Sequence, residues 1–161
     1  MINCFVLRRI FLFLVMIIII NTCGCSYFEV YKKTYYVSDV TSVIKKQQEE
    51  VDNYITLTTD ISEKKISGEE AKKSLERFRE NLLQCKKDLE AVSTPEDYKD
   101  EHQDFIKGFQ LSIEAVEGSM ALDNIKDEKE KNKKIEEIKG KIVEYRKLIK
   151  LGINSISIDL R

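Results

Sequence analysis

The chain has 161 residues, 34% of them charged, and its 27 basic groups nearly balance 28 acidic ones, for a net charge of −1 at pH 7. Lys and Glu are interspersed with no basic stripe, which excludes a nucleic-acid footprint and makes the charges solvated helix faces. One Pro, one His and no Trp, with Lys, Glu, Ile and Leu dominant, favour an all-α class and leave little material for a catalytic or metal centre.

At the N-terminus Arg8-Arg9 precede an unbroken apolar run, Ile10 to Ile20, and then Asn21-Thr22-Cys23-Gly24-Cys25-Ser26. Eleven helical residues reach about 16 Å against a hydrocarbon core of about 30 Å, so the run is too short to span a bilayer. Extending it back through Cys4-Phe5-Val6-Leu7 would bury Arg8 and Arg9, at about 2.5 to 3.5 kcal/mol each. A basic n-region, a short apolar h-region and a small residue before the cut describe a cleaved secretory signal, with Gly24 as the small residue.

Thr22-Cys23-Gly24-Cys25 resembles the lipobox of bacterial lipoproteins, a short apolar-to-small sequence ending in the Cys that receives diacylglycerol. It departs from the usual pattern at Thr22, where a Leu-like residue is commoner, and at Cys23, where a small residue is usual. The resemblance implies cleavage after Gly24 and lipid attachment at Cys25. Cys23 is the alternative acceptor, with Ile20 three residues before it, but Thr22 suits the position before the cut less well than Gly24. An ordinary cleaved signal with incidental cysteines is the plainer reading. Leu7-Arg8-Arg9-Ile10-Phe11-Leu12 also looks like a twin-arginine export signal, although no folded cofactor protein is evident downstream. In its signal and lipobox the chain is similar to small helical-bundle lipoproteins of Gram-positive bacteria. That likeness implies attachment to membrane lipid through an N-terminal diacylglycerol, on the extracytoplasmic face of the cell membrane.

These features divide the chain into a signal peptide (1–24), a short membrane-proximal tether (25–36), a helical bundle (37–156) and a C-terminal tail (157–161). Removing 1–24 leaves 137 of the 161 residues, which suits one domain. It also takes Arg8 and Arg9 from the 27 basic groups, leaving them three short of the 28 acidic ones. Cys85 is then the sole cysteine outside the targeting region, so the fold has no internal disulfide and is held by packing alone. Ser26 to Thr34 lacks the Gly/Ser content of a floppy spacer. Phe28, Tyr31 and Tyr35 share one helical face beside Lys32 and Lys33. They suit either aromatic anchors at headgroup level or, the preferred reading, the start of helix 1 packed into the bundle.

Val37, Val40, Ile44, Gln47, Val51, Tyr54, Thr58 and Ile61 alternate three and four residues apart, the seam of a first helix. Ser67-Gly68-Glu69-Glu70 is a capping box, with Ile66 placed to staple onto Ala71. The second seam follows: Ala71, Leu75, Phe78, Leu82, Cys85, Leu89, Val92. Thr94-Pro95-Glu96-Asp97 predicts the next start, Thr94 capping and Pro95 first in the helix, in a tight hairpin. Tyr98, His102, Phe105, Phe109, Ile113, Val116 and Met120 face inward on helix 3, which fades near Leu122-Asp123-Asn124. Lys126 to Lys134 cannot line a core and reads as an exposed turn with the charged first turns of helix 4. One continuous rod through helices 3 and 4 is the alternative. The last seam is Ile135, Ile138, Ile142, Tyr145, Ile149, Gly152, Ile156. The expected architecture is all-α, an antiparallel up-down bundle of four helices (or three, one of them long) after an N-terminal signal helix.

Little chemistry is on offer. Cys85 and His102 lie equally far from the turn at Ser93-Thr94, so a symmetric hairpin would set them face to face as a thiol–imidazole pair. A structural zinc site needs four protein ligands, and the plainer reading is a core thiol and a satisfied imidazole. Glu49-Glu50, Glu69-Glu70 and Glu136-Glu137 are sequence neighbours, which point apart on a helix and cannot share a substrate. No catalytic residue, cofactor or metal is expected. The expected role is a surface binding or adaptor module for a protein or cell-wall partner. The alternatives are a small-ligand carrier with a pocket near Tyr98 and His102 and, last, an enzyme.

Overall fold

The computed structural model describes residues 4–63 and 65–158, with side chains described over 29–63 and 65–157. Among the described residues there are four α-helices and no strand: α1 Cys4–Ser62, α2 Gly68–Glu90, α3 Lys99–Ala121 and α4 Glu128–Ile158. By packing, the chain falls into two units, Met1–Tyr35 and Tyr36–Arg161. The first is helical from Cys4, and the stretch 25–36 expected as a tether belongs to α1. The second is the bundle.

Each bundle helix forms because its apolar residues recur at three- and four-residue intervals and so make one stripe to bury. On α1 the buried positions are Tyr36, Val40, Ile44, Gln47, Val51 and Tyr54. The seam thus begins at Tyr36, while Val37, its expected first member, and Thr58 and Ile61, its expected last two, are half-buried. On α2 the buried set is Ala71, Leu75, Phe78, Leu82, Cys85 and Leu89, while Val92, the last expected member of the seam, is half-buried just beyond the helix. Ser67 starts this helix: its hydroxyl accepts the Glu70 amide at 3.2 Å, satisfying one of the otherwise unpaired donors of the first turn.

The start of the third helix differs from expectation. Thr94 does not cap it; its hydroxyl donates back to the Val92 carbonyl at 3.2 Å. Pro95 stands in extended backbone ahead of a 3-10 turn, Glu96–Tyr98, closed by the Tyr98 amide on the Pro95 carbonyl at 3.1 Å. Pro95 itself is extended and is the residue ahead of the first turn, so Thr94 stands one position too early to cap it. The 3-10 turn instead carries Tyr98 inward, where it is 1% exposed. The α-helix proper begins at Lys99, with Asp100 and Glu101 favourably placed at the positive end of its dipole.

α3 and α4 are separate, which removes the continuous-rod alternative. A second 3-10 turn, Leu122–Asn124, ends α3, and the Asp127 carboxylate accepts the Glu130 amide at 2.7 Å to open α4. Lys126 to Lys134 is largely exposed, as its composition requires. α4 buries Ile138, Ile142, Tyr145, Ile149, Gly152 and Ile156 together with Leu148, a position outside the seven-residue seam. It continues to Ile158, two residues into the segment expected as tail.

Neighbouring helices are antiparallel. Arg79 of α2 meets Glu117 of α3 at 2.7 Å, while Lys46 and Glu50 of α1 meet Asp88 and Asn81 of α2. Between α3 and α4, Glu101 pairs with Ser155 and Glu114 with Lys141, and Gly108 faces Tyr145, Leu148 and Ile149. α1 and α3 run parallel, joined across the core by Tyr36–His102, Gln47–Ser112 and Tyr54–Ser119, a register that stays constant within one residue.

Candidate functional site

The residues expected to carry the targeting chemistry, Gly24 at the cut and Cys25 or Cys23 as lipid acceptor, lie outside the described side chains, as does the run from Ile10 to Ile20. Among the residues whose side chains are described, no helix is long and apolar enough to cross a membrane. The arrangement in the bundle is therefore built from its polar interior.

At one end, three rings from three elements meet. Tyr36 of α1 stacks on Tyr98 of the 3-10 turn with centroids 5.2 Å apart and planes 22° apart, and its hydroxyl lies 3.3 Å from Nδ1 of His102 in the first turn of α3. All three are buried. Burial pushes the imidazole below its usual range, opposed by the negative charge of Glu90. Burial also pushes the Tyr36 phenol up, helped by Glu101 and Tyr98. Both groups are thus neutral near pH 7, joined by a hydrogen bond between uncharged partners.

Midway along the core, the Gln47 amide donates to Ser112 Oγ at 2.5 Å, and Ser112 donates to the Phe109 carbonyl at 2.7 Å. Two turns further along α1, Tyr54 Oη contacts the Ala115 carbonyl at 3.2 Å and Ser119 Oγ at 2.6 Å. Gln47 is wholly buried, as its place in the α1 seam predicts, but its Oε1 has no hydrogen-bond partner, and neither has the buried Tyr145 hydroxyl. Each costs stability on the order of 1 to 3 kcal/mol relative to a satisfied group.

Cys85 and His102 are not brought together as a working pair. A hairpin symmetric about Ser93-Thr94 would set Arg79 opposite Gly108, but its partner is Glu117, because the turn at Glu96–Tyr98 lengthens the connection and shifts α3 along α2. Cys85 is wholly buried and free, with Lys46, Asp88 and Glu50 as its charged neighbours, while His102 lies against Tyr36. Burial raises the thiol's pKa, so it is an unreactive core side chain. The neighbouring acids also diverge. Glu136 pairs with Lys139 and Glu137 with Lys134, and Glu50 accepts from Asn81 while Glu49 is exposed. Among the described residues no three His, Cys, Asp or Glu side chains converge to hold a metal.

Open, charged grooves lie on the surface of the described residues. One lies between α1 and α4, lined by Val51, Asp52, Tyr145, Arg146 and Lys150 and bridged by Arg146 to Asp52 at 3.0 Å; another, on α2, is lined by Ser67, Glu69, Glu70, Lys73 and Arg77. Exposed large apolar side chains are Val143 and Leu151 on α4, and Val30, Tyr31 and Tyr35 on α1. Tyr31 and Tyr35 are thus not packed into the core as the preferred reading had it; Tyr36 is the inward ring.

Sequence reasoning missed the three polar rungs between α1 and α3. The signal was present: Gly108, Ser112, Ala115 and Ser119 repeat at four, three and four residues, a seam of small side chains that hydrophobicity alone does not register. No protein-family model matches the chain, and neither a curated protein nor a solved structure matches it.

Proposed function

We propose that the chain is a lipid-anchored lipoprotein of the extracytoplasmic membrane face whose bundle acts as a binding or adaptor module. The observation that carries this is the order of residues at the N-terminus: Arg8-Arg9, an apolar run too short to span, and Gly24-Cys25. The helix α1 then passes through 25–36 without a Gly/Ser-rich spacer, which would keep the bundle close to the bilayer. Two acyl chains at about 0.8 kcal/mol per buried methylene give a stable hold where one chain gives a marginal one.

The adaptor role draws its support from the interior. Tyr98 and His102, the residues around which a ligand pocket was expected, are 1% and 5% exposed and packed with Tyr36, so they fill the space a ligand would need. What is left for recognition is the outer surface, including Val143 and Leu151 on α4 at 67% and 54% exposure.

Mass spectrometry of protein isolated from its native membrane tests the anchor. The expected terminus is a diacylglyceryl cysteine at position 25, with Cys25→Ala released from the membrane and Cys23→Ala retained. An intact Met1, or a processed terminus without acyl chains, overturns the reading. For the adaptor role, photocrosslinkers at Val143 and Leu151 are expected to capture one discrete partner in intact cells, and the role falls if they capture none.

A further inference from the structure

Five large apolar side chains are exposed among the described residues, and three of them, Val30 (61%), Tyr31 (51%) and Tyr35 (52%), fall within six consecutive positions of α1. The two rings are in contact, with centroids 4.3 Å apart, so they present one continuous apolar surface. Lys32 and Lys33 follow Tyr31 directly, and Lys32 pairs with Glu29 at 3.6 Å. The backbone here is regular helix, and Thr34 returns its hydroxyl to the Val30 carbonyl at 2.9 Å instead of reaching outward.

We propose that this face of α1, Tyr31 and Tyr35 with Lys32 beside them, docks into the headgroup layer of a phospholipid bilayer. The proposal rests on the lipid-anchor reading and adds a second, non-covalent contact to it. Tyrosine has an apolar body and a polar tip, the combination that settles at the boundary between acyl chains and water. Position supplies the occupant. Tyr31 and Tyr35 lie six and ten residues beyond Cys25, about 9 and 15 Å along a helix. Helical side chains lean toward the N-terminus, so both rings are displaced toward the end of α1 that carries Cys25. The headgroup layer is about 5 to 8 Å deep on each side of the hydrocarbon core, within reach of these rings on a tilted helix.

The chain has no tryptophan, so Tyr31→Trp or Tyr35→Trp gives a single reporter in the full acylated protein, and Val143→Trp gives one on the exposed side of α4. Each is reconstituted in phosphatidylcholine–phosphatidylglycerol vesicles and quenched with aqueous iodide or with brominated phospholipid. The expected result is that iodide quenches Val143→Trp at least about twofold more than either α1 reporter, while brominated lipid quenches only the α1 reporters. If the protein sediments with the vesicles but all three reporters are equally open to iodide and untouched by brominated lipid, the docking face is overturned and the anchor stands. Failure to sediment overturns both.

Discussion

α2 and α3 are the same length, 23 residues each, and bury their faces by different means. α2 buries six residues in a single stripe, four of them Leu or Phe. α3 buries nine, and four of these are Gly108, Ser112, Ala115 and Gly118. The cause is position: α3 packs against α4 along its small residues and also receives the long polar side chains of α1, Gln47 and Tyr54. A stripe of large side chains is vulnerable to lost volume, whereas a surface of small ones is vulnerable to added volume.

The largest expected effect is on the α2 side. Leu82 is wholly buried, and Leu82→Ala should destabilise the bundle by about 2 to 5 kcal/mol in urea unfolding, through lost transfer energy and the cavity left behind. A loss below about 1 kcal/mol would mean that the α2 seam collapses freely, and the contrast with α3 would fail.

On the α3 side, Gly152 of α4 is the sensitive point. A Cβ there would sit 2.4 Å from Cε1 and 2.6 Å from Cζ of Phe105, a ring with 0% exposure. Gly152→Ala should therefore cost about 1 to 3 kcal/mol, although alanine is the better helix former. Gly140, on the same helix, has nothing within 4 Å of such a Cβ. Gly140→Ala should stabilise by about 0.5 to 1 kcal/mol. Equal melting shifts for the two variants would show that added volume is not what limits the α3–α4 contact.

The smallest effect is a pH dependence at the His102 end of α3. Its pKa is lowered in the folded state by burial, so the unfolded chain takes up the proton first as pH falls. Stability is then fully present above the ordinary imidazole pKa of about 6.5 and is lost as pH drops from there through the folded value. His102→Gln should flatten that acid limb in urea unfolding measured across pH 7 to 4. An unchanged limb would assign it to carboxylates instead.

The α2 stripe was legible in the sequence because every buried member but Cys85 and Ala71 is large and apolar, and Ser67 announces its start. Much of α3 was not. Gly108, Ser112 and Gly118 carry no hydrophobic signal, and their burial follows from which helices come to lie against them. The Cys85–His102 geometry failed for a related reason: residue spacing fixes the face of a helix but not how far the next helix slides, and the turn at Glu96–Tyr98 set that slide. Tyr31, Tyr35 and Tyr36 are the same residue type within six positions, and only tertiary packing separates the outward rings from the inward one.

The constant offset between α1 and α3 has a mechanical corollary. Because Tyr36–His102, Gln47–Ser112 and Tyr54–Ser119 keep step along two parallel helices, tension drawn along α1 loads all three rungs in shear at the same moment. They would yield together and not peel open one by one. A bundle tugged from the end that carries α1 would resist as a unit up to a threshold and then let go.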